Sequence, residues 1–402
     1  MFALAFRNIF RNKARTALTL TVISAGVAGL ILCGGFVADA LNQLREATIH
    51  SQLGHLQIYR SGFYEKGSQT PNAYMIERPA EILDVARKLP DFEEGMARLN
   101  FSAVVNNGRT DFAVVGEGVE PEKEKKLGSL LEVVAGRPLE SGDASGLFIG
   151  EGVAAATKLK VGDRATVLLH TVEGALNSGE FEVLGIFRSF SKDYDARAVR
   201  ITLPAAQDLM ALSSVNAVVV LLKDTAATDR AAAAIASGID RSRYEVKTWR
   251  QLADFYDKTA SLYQRQFVVL EAIILLAVLL SVINAVNMSV YERTAEFGTL
   301  MALGTHGSGV SHLVLQENLL LGLIGSALGV VGGVVLAVII SAIGITMPPP
   351  PNSSTGYVAA IEIDALTVAT AFVIGFIATV AAAWFPSRRV AKLAVVDALR
   401  HA

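Results

Sequence analysis

The sequence predicts a membrane protein with four transmembrane α-helices and a large α+β extracytoplasmic domain inserted between helices one and two. Three observations predict it. Only 18% of the 402 residues are charged, where an ordinary soluble domain has about 25%. Four stretches are nearly free of charge and exceed the roughly 20 residues that cross a bilayer. The long segment 39–265, between the first two stretches, has instead the composition of soluble protein. A purely soluble enzyme and a many-helix transporter are both disfavoured. The net charge of −2 carries no basic bias toward nucleic acid. The single cysteine, Cys33, excludes an intrachain disulfide.

The elements follow in order. Residues 1–15 carry Phe2, Phe6, Ile9 and Phe10 on one helical face and Arg7, Arg11 and Arg15 on another. That pattern predicts an interfacial helix, its apolar side in the acyl boundary and its basic side toward lipid phosphates. Span one is 16–38, span two 267–290, span three lies within 313–345, and span four is 365–385. Ala38-Asp39-Ala40 looks like a signal-peptide cleavage site, but an apolar core of about 22 residues is too long for a signal sequence, so an uncleaved span is expected. Arg7, Arg11, Lys13 and Arg15 precede span one, and Arg388, Arg389, Lys392 and Arg400 follow span four, whereas 346–364 holds no Lys or Arg. Lys and Arg mark the cytoplasmic side. Both termini, the 291–312 loop and the 386–402 tail are therefore expected inside, and the 39–265 domain and the 346–364 loop outside. That fits a bacterial inner membrane.

The spans lack the series of charges that marks an ion path. Glu271 sits near the outer end of span two, and Asn284 and Asn287 near its inner end, where interhelical hydrogen bonding is their simplest role. Gly325, Gly329 and Gly333 make small-xxx-small steps in span three and predict close helix packing, within the chain or between two chains.

In the outer domain, strands are expected at 56–59, 102–105, 111–115, 165–169, 180–184 and 217–222, and helices at 77–89 and 225–239. The strand-dense 116–200 region is a candidate second lobe. Residues 38–52 and 249–266 lack Pro and Gly and are expected to extend spans one and two as a helical stalk.

A search for chemistry finds little. There is no H-E-x-x-H, no Cys/His ligand cluster and no G-x-S-x-G. His50 and His55 read as surface residues. Ser189-Phe190-Ser191-Lys192 has the S-x-x-K spacing without its companion motifs. Gly150-Glu151-Gly152 imitates a dinucleotide loop but lacks a clear preceding strand. No Gly-Lys dipeptide occurs, so no phosphate-binding P-loop is present, and any ATP and Mg must be bound by another polypeptide. No cofactor, metal site or catalytic residue is expected in this chain.

The 291–312 loop reads as a short amphipathic helix. Phe297, Leu300, Met301 and Gly304 share a face, Glu292, Arg293 and Glu296 charge its start, and Gly304 is a candidate cap. Its roles are a surface helix or a lever inserted into a cytoplasmic partner. The pattern Glu292-Arg293-x-x-Glu296-Phe297-Gly298-x-Leu300-x-Ala302-Leu303-Gly304, then Glu317-Asn318, resembles the FtsX-like permease domain of the type VII (MacB/Lol-type) ABC systems. Phe385-Pro386-Ser387-Arg388-Arg389-x-Ala391 and Val396-Asp397-Ala398-Leu399-Arg400 are similar to that family's closing motif, with Val395-Val396 where the family commonly has proline. Gly54-His55-Leu56-Gln57-Ile58 and the run from Gly150-Glu151-Gly152 to Val161-Gly162-Asp163 resemble the outer domain of LolC/LolE-like and MacB-like members.

The resemblance implies a non-catalytic membrane subunit driven by a cytoplasmic ABC ATPase dimer, with Glu292, Arg293, Glu296, Phe297, Leu300, Met301 and Gly304 as the ATPase contacts. It implies mechanotransmission through the stalk, a second permease chain (identical or a sibling), contact with membrane lipids and a periplasmic carrier or adaptor. The cargo would be lipoprotein, lipid or another amphiphile. The alternative is an FtsX-like signalling module that activates a periplasmic partner, such as a cell-wall hydrolase, and moves nothing. A membrane-anchored enzyme is opposed by the empty motif search.

Overall fold

The computed structural model describes residues 2–66, 74–349, 353 and 356–391, and gives only the backbone of Phe2, Ala3, Leu4, Ile9, Phe10, Glu65, Lys66 and Phe255. The side chains of Phe2, Ile9 and Phe10, and the tail motif beyond Ala391, therefore lie outside the described residues. The chain forms two compact units. One comprises Met1–Asn42, Thr259–Thr346 and Val358–Ala402, the other Gln43–Lys258 with Met347–Tyr357.

The first unit is helical. Its elements are α1 (Phe2–Arg11), α2 (Lys13–Thr48), α3 (Asp254–Glu292), α4 (Thr294–Ala302), α5 (Gly307–Ile343) and α6 (Ala365–Val390). Helices α2, α3, α5 and α6 are long and apolar enough to cross a membrane. Each outruns its apolar stretch: α2 has 36 residues and α3 has 39. Asp364 starts α6 by accepting from the Leu366 and Thr367 amides. At the opposite end, Arg388 stacks 4.5 Å from the Trp384 ring and Arg389 4.7 Å from Phe385, as suits a membrane interface.

Glycine sets the packing around α2. A methyl on Gly325, Gly329 or Gly333 of α5 would fall 2.8 Å from Ile23, 2.7 Å from Val27 and 3.0 Å from the Ala28 backbone. Gly375 of α6 meets Val27 at 2.3 Å, and Gly26 of α2 meets Val278 of α3 at 2.4 Å. Lipid tails are as apolar as leucine, so membrane helices associate largely through such close van der Waals contact. The small-residue stripe of α5 thus lies against α2 within one chain. Asn284 and Asn287, expected to hydrogen-bond between helices, are both exposed within this chain. Only 11% of the apolar stretch of α3 is buried, against 28% in each of the other three.

The second unit is built on a ten-stranded mixed sheet: β1 (Leu56–Arg60), β2 (Phe92–Asn106), β3 (Asp111–Val119), β4 (Glu132–Gly136), β5 (Gly146–Gly150), β6 (Arg164–His170), β7 (Leu176–Arg188), β8 (Ala198–Thr202), β9 (Ala217–Leu222) and β10 (Tyr244–Thr248). The order is β10-β1-β9-β2-β3-β8-β5-β7-β4, with β6 between β2 and β7. Strand β2, at 15 residues, joins two lobes. Its first half, to Arg98, pairs with β9, and its second half, from Leu99, pairs with β3. Most pairs are antiparallel, but β3–β8 and β5–β7 are parallel.

Several expectations are corrected here. The helix expected at 77–89 is confined to Pro79–Ala86, its start set by proline at the first turn. The 249–266 extension is not continuous: Trp249–Leu252 forms one turn under a Thr248–Gln251 capping box, and the chain turns at Ala253 before α3. Gly150 does follow a strand, the fully buried β5, but a methyl on Gly150 or Gly152 would lie 2.3 Å from the Asp195 backbone or 2.5 Å from that of Ala196. Those glycines admit the chain's own 195–196 turn, not a dinucleotide. Ser191 of the S-x-x-K match caps the Lys192–Asp195 helix, and Lys192 is exposed.

His55 is no surface residue; it is 1% exposed. Its Nδ1 accepts from the Leu222 amide at 3.1 Å, which leaves Nε2 to donate to Thr225 Oγ1 at 2.9 Å. Thr225 in turn donates to Glu46 at 3.0 Å, and the His50 ring stands edge-on, 5.6 Å away. Burial, reinforced by the His50 and Arg45 charges, holds the His55 imidazole down at about 4, against attraction from Glu46 and Asp224. The unfolded chain therefore binds the extra proton first. The stability due to neutral His55 is complete above its ordinary value of 6.5 and is lost as pH falls toward 4. That gap is worth about 3 kcal/mol. Unfolding of the full chain in detergent at pH 7 and pH 4.5 should show wild type losing about 2 kcal/mol more than His55→Gln; parallel losses would contradict this assignment.

Candidate functional site

The 291–312 loop is positioned from the sequence upward by a helix, its stop and a set of ion pairs. Helix α4 ends because Gly304 adopts φ +99°, a conformation suited to glycine. The Gly304 amide donates to Met301 O at 3.1 Å and the Thr305 amide to Leu300 O at 3.0 Å, the two bonds of a Schellman motif. At the other end, Arg293 lies between α3 and α4. It donates to Glu317 Oε2 of α5 at 2.7 Å and to Glu296 at 3.2 Å, and its guanidinium lies 5.0 Å from the Phe297 ring centre. Asn8 of α1 donates to the other Glu317 oxygen at 2.6 Å. Arg11 pairs with Glu296 and Arg15 with Glu292. Asn8, Arg11, Arg15, Glu292, Arg293 and Glu317 line a polar cavity of about 240 Å³ together with Thr19, Ser289 and Asn318. The Arg293 and Glu317 side chains are only 13% and 10% exposed.

The seven residues expected to contact a partner separate into two groups. Phe297 is 1% exposed, packed with Val286, Val310 and Val314, and Leu300 and Met301 lean on the same cluster. That face is turned inward, because an amphipathic helix covers its apolar stripe with its own chain first. Phe297 therefore offers no docking surface. Arg293 is an internal brace. Glu292, Glu296 and Gly304 remain exposed. The surface that α4 presents instead is Thr299, Ala302 and Leu303, with Leu303 80% exposed. An apolar residue one step off the buried stripe is the signal that could have found it.

In the outer unit, the end of α2 enters a prepared socket. After Thr48 the chain makes one π-helical turn, Ile49–Leu53, closed by Gly54 at φ 68°. A helix C-terminus leaves four carbonyls without intrahelical partners. Here each carbonyl from His50 to Leu53 has one. His50 O accepts from the Leu130 amide at 3.4 Å and Leu53 O from Gln57 Nε2 at 2.7 Å. Ser51 O accepts from Arg200 Nη2 at 3.4 Å and Gln52 O from Arg98 Nη1 at 2.8 Å. Both arginines are 3% exposed. Arg98 also holds Glu124 at 2.6 Å, and Arg200 holds Glu117 at 2.9 Å. Tyr194 donates to the same Glu117 oxygen at 2.8 Å. Burial pushes the Glu117 carboxyl up, but the Arg98 and Arg200 charges outweigh it and hold it below its ordinary range. Ile49, Met96, Leu127, Val219, Leu221, Trp249 and Ala253 form the apolar wall of the socket. Beside it lies a cleft of about 560 Å³ that includes Tyr59, Arg98, Glu117 and Tyr256. Sequence reasoning missed this cluster, whose members are scattered between residues 98 and 200. Among the described residues no group of His, Cys, Asp and Glu side chains is arranged to hold a metal.

Comparison with known proteins agrees with this architecture. Residues 16–237 match the MacB-like periplasmic core domain and residues 268–395 the FtsX-like permease C-terminal domain. The lipoprotein-releasing system transmembrane protein LolC of Xylella fastidiosa (strain 9a5c) is 27% identical over 71% of this chain and 72% of its own length. The macrolide export ATP-binding/permease protein MacB of Salmonella typhi is 25% identical over 99% of this chain. An uncharacterized ABC transporter permease of Methanocaldococcus jannaschii is 25% identical over 67% of this chain. The alignments span 60% of that MacB and 65% of the archaeal protein. The two family matches cover both the helical unit and the inserted domain, and the chain belongs to the FtsX/MacB-type family of ABC transporter permeases.

Proposed function

We propose that this chain is the non-catalytic subunit of an ATP-driven complex in the inner membrane. A separate cytoplasmic ATPase dimer binds ATP and Mg, docks at the α4 corner and displaces the helices, and the outer domain moves in response. Both termini and α4 lie in the cytoplasm on this reading, in keeping with the arginines at the ends of α1 and α6. The observation that carries the proposal is the α4 corner itself. A short helix is braced by Arg293–Glu317 and stopped by Gly304, and it holds an apolar side chain, Leu303, 80% exposed. Rigid support behind an exposed apolar residue suits a contact that must bear force.

A second permease chain completes the complex. Asn284 and Asn287 lie exposed on α3, the least covered of the spans, where lipid alone would leave their amides without partners. The cargo is an amphiphile. The relationship to LolC favours lipoprotein, delivered to a periplasmic carrier or adaptor.

Leu303→Asp tests the docking site. Leu303 is so exposed that stability of the helical unit should change by no more than about 0.5 kcal/mol. Co-purification with the ATPase and cargo-stimulated hydrolysis should each fall at least about tenfold, as for loss of a central interface residue. Normal binding and stimulation in that variant would remove α4 from the docking role.

A further inference from the structure

We propose that Arg98 and Arg200 are positioning residues through which movement of α2 enters the outer domain, Arg98 handing it to β2 and Arg200 to β8. The inference rests on the proposed function, which makes α2 a moving part, and it names where the movement is received. Three features of the socket carry it.

The first is what the guanidiniums hold. Each binds a terminal carbonyl of the π turn and, at the same time, a carboxylate of the sheet domain: Gln52 O and Glu124 for Arg98, Ser51 O and Glu117 for Arg200. Cationic groups at this end also oppose the partial negative charge of the helix. Only a planar fork of several N–H groups can hold both partners with fixed geometry; an ammonium is a single point.

The second is where the arginines stand. Arg98 is the last residue of β2 paired with β9, opposite Ala217, and the next residue, Leu99, already pairs with Gly118 of β3. It therefore sits on the junction of the two lobes. Arg200 lies directly across from Glu117 in the parallel β3–β8 pair, in the second lobe. The Arg200 guanidinium also approaches Glu124 at 3.4 Å, which ties the two pairs together.

The third is that stability does not account for the arrangement. Buried ion pairs are often replaceable by apolar residues without loss, and among the described residues Arg98 Nε and one Glu124 oxygen have no hydrogen-bond partner. Once the apolar wall around Ile49 and Trp249 covers the helix end, the Ser51 and Gln52 carbonyls need donors, but neutral donors would have met that need without buried charge. What the charges supply is a directional link between helix and sheet. The π turn they grip is itself a wound segment of a kind common at functional sites.

The test uses the full chain purified with its ATPase in lipid nanodiscs, with hydrogen exchange measured in the nucleotide-free state and after trapping with ATP and vanadate. In wild type, trapping should change exchange in residues 43–53 and again in β2, β3 and β8. Arg98→Lys and Arg200→Lys keep the charge that pairs each carboxylate but give up the double grip. In Arg200→Lys the response of β8 should fall to less than a third of wild type. The response of residues 43–53 should persist, and hydrolysis should stay within twofold. Tyr194→Phe removes two hydrogen bonds of the same cluster, the one donated to Glu117 and the one accepted from Arg200 Nε, without touching a carbonyl of the π turn, and should transmit normally. A purely structural role would instead weaken Tyr194→Phe and Arg200→Lys alike, with similar losses in unfolding temperature. A β8 response in Arg200→Lys equal to wild type, or a β2 response in Arg98→Lys equal to wild type, would overturn the proposal. Absence of any wild-type response beyond Leu53 would overturn the proposed function as well, so the two failures are distinguishable.

Discussion

Replacing Gly329 by leucine is expected to prevent the helical unit from assembling. A single added methyl at this position would lie 2.7 Å from Val27 Cβ and 2.8 Å from the Ser24 carbonyl oxygen. The second contact is backbone, which no rotamer change relieves. Overpacking against side chains costs about 1–3 kcal/mol, and Gly329→Ala should fall at the upper end of that range. Leucine must push α5 bodily off α2 and with it lose the contacts at Gly325 and Gly333. Gly332 is the control. It lies on the same helix with nothing among the described residues within 4 Å of an added methyl, so Gly332→Ala should be neutral or slightly stabilising, alanine being the better helix former. Expression, detergent-resistant folding and unfolding midpoints of the three variants would decide it. Equal behaviour of Gly329→Ala and Gly332→Ala would contradict the packing described.

The second large effect is expected at Glu317. Its two oxygens accept from Asn8 and Arg293, so one side chain of α5 holds α1 and the α3–α4 junction together. Glu317→Ala leaves the nearly buried Arg293 guanidinium without its main counter-charge. Breaking such a pair by removing one partner costs about 3–5 kcal/mol. Removing both charges at similar volume, as Arg293→Met with Glu317→Leu, should recover most of that stability. The doubly substituted protein should nevertheless lose stimulated hydrolysis, because α4 would no longer be braced on the side facing α5. Full coupling in the double variant would show that the ion pair serves stability alone.

How much of this was legible beforehand follows from the physics of each element. The spans are plain in the sequence because a bilayer demands a long uncharged run, and helices α2, α3, α5 and α6 each contain one. The strands at β1, β3, β6 and β9 are equally visible as compact β-branched or alternating runs. Strands β5 and β8 are not. Gly-Leu-Phe-Ile-Gly in β5 is too short to separate from a loop, and Ala-Val-Arg-Ile-Thr in β8 places a charged residue in a strand that is buried throughout. Charge normally reports exposure; Arg200 breaks that rule because Glu117, its register partner, is buried beside it.

The α4 corner shows the same limit. Its helix and its glycine stop are local features and could be read. Which face turns inward depends on Val286, Val310 and Val314 of the flanking spans, which periodicity does not reveal, and it was the family resemblance that gave the stripe of Phe297 to a partner. His55 was misplaced for a related reason. Its partners, Leu222 and Thr225, are more than 160 residues away.

The central claim is that nucleotide bound by another polypeptide moves the outer domain of this one. Exchange at β3 and β8 of the wild-type chain, followed in the assembled complex with and without trapped nucleotide, addresses it most directly. The account predicts a reproducible change there that disappears when the ATPase is omitted. Identical exchange in both states, with hydrolysis running normally, would contradict it.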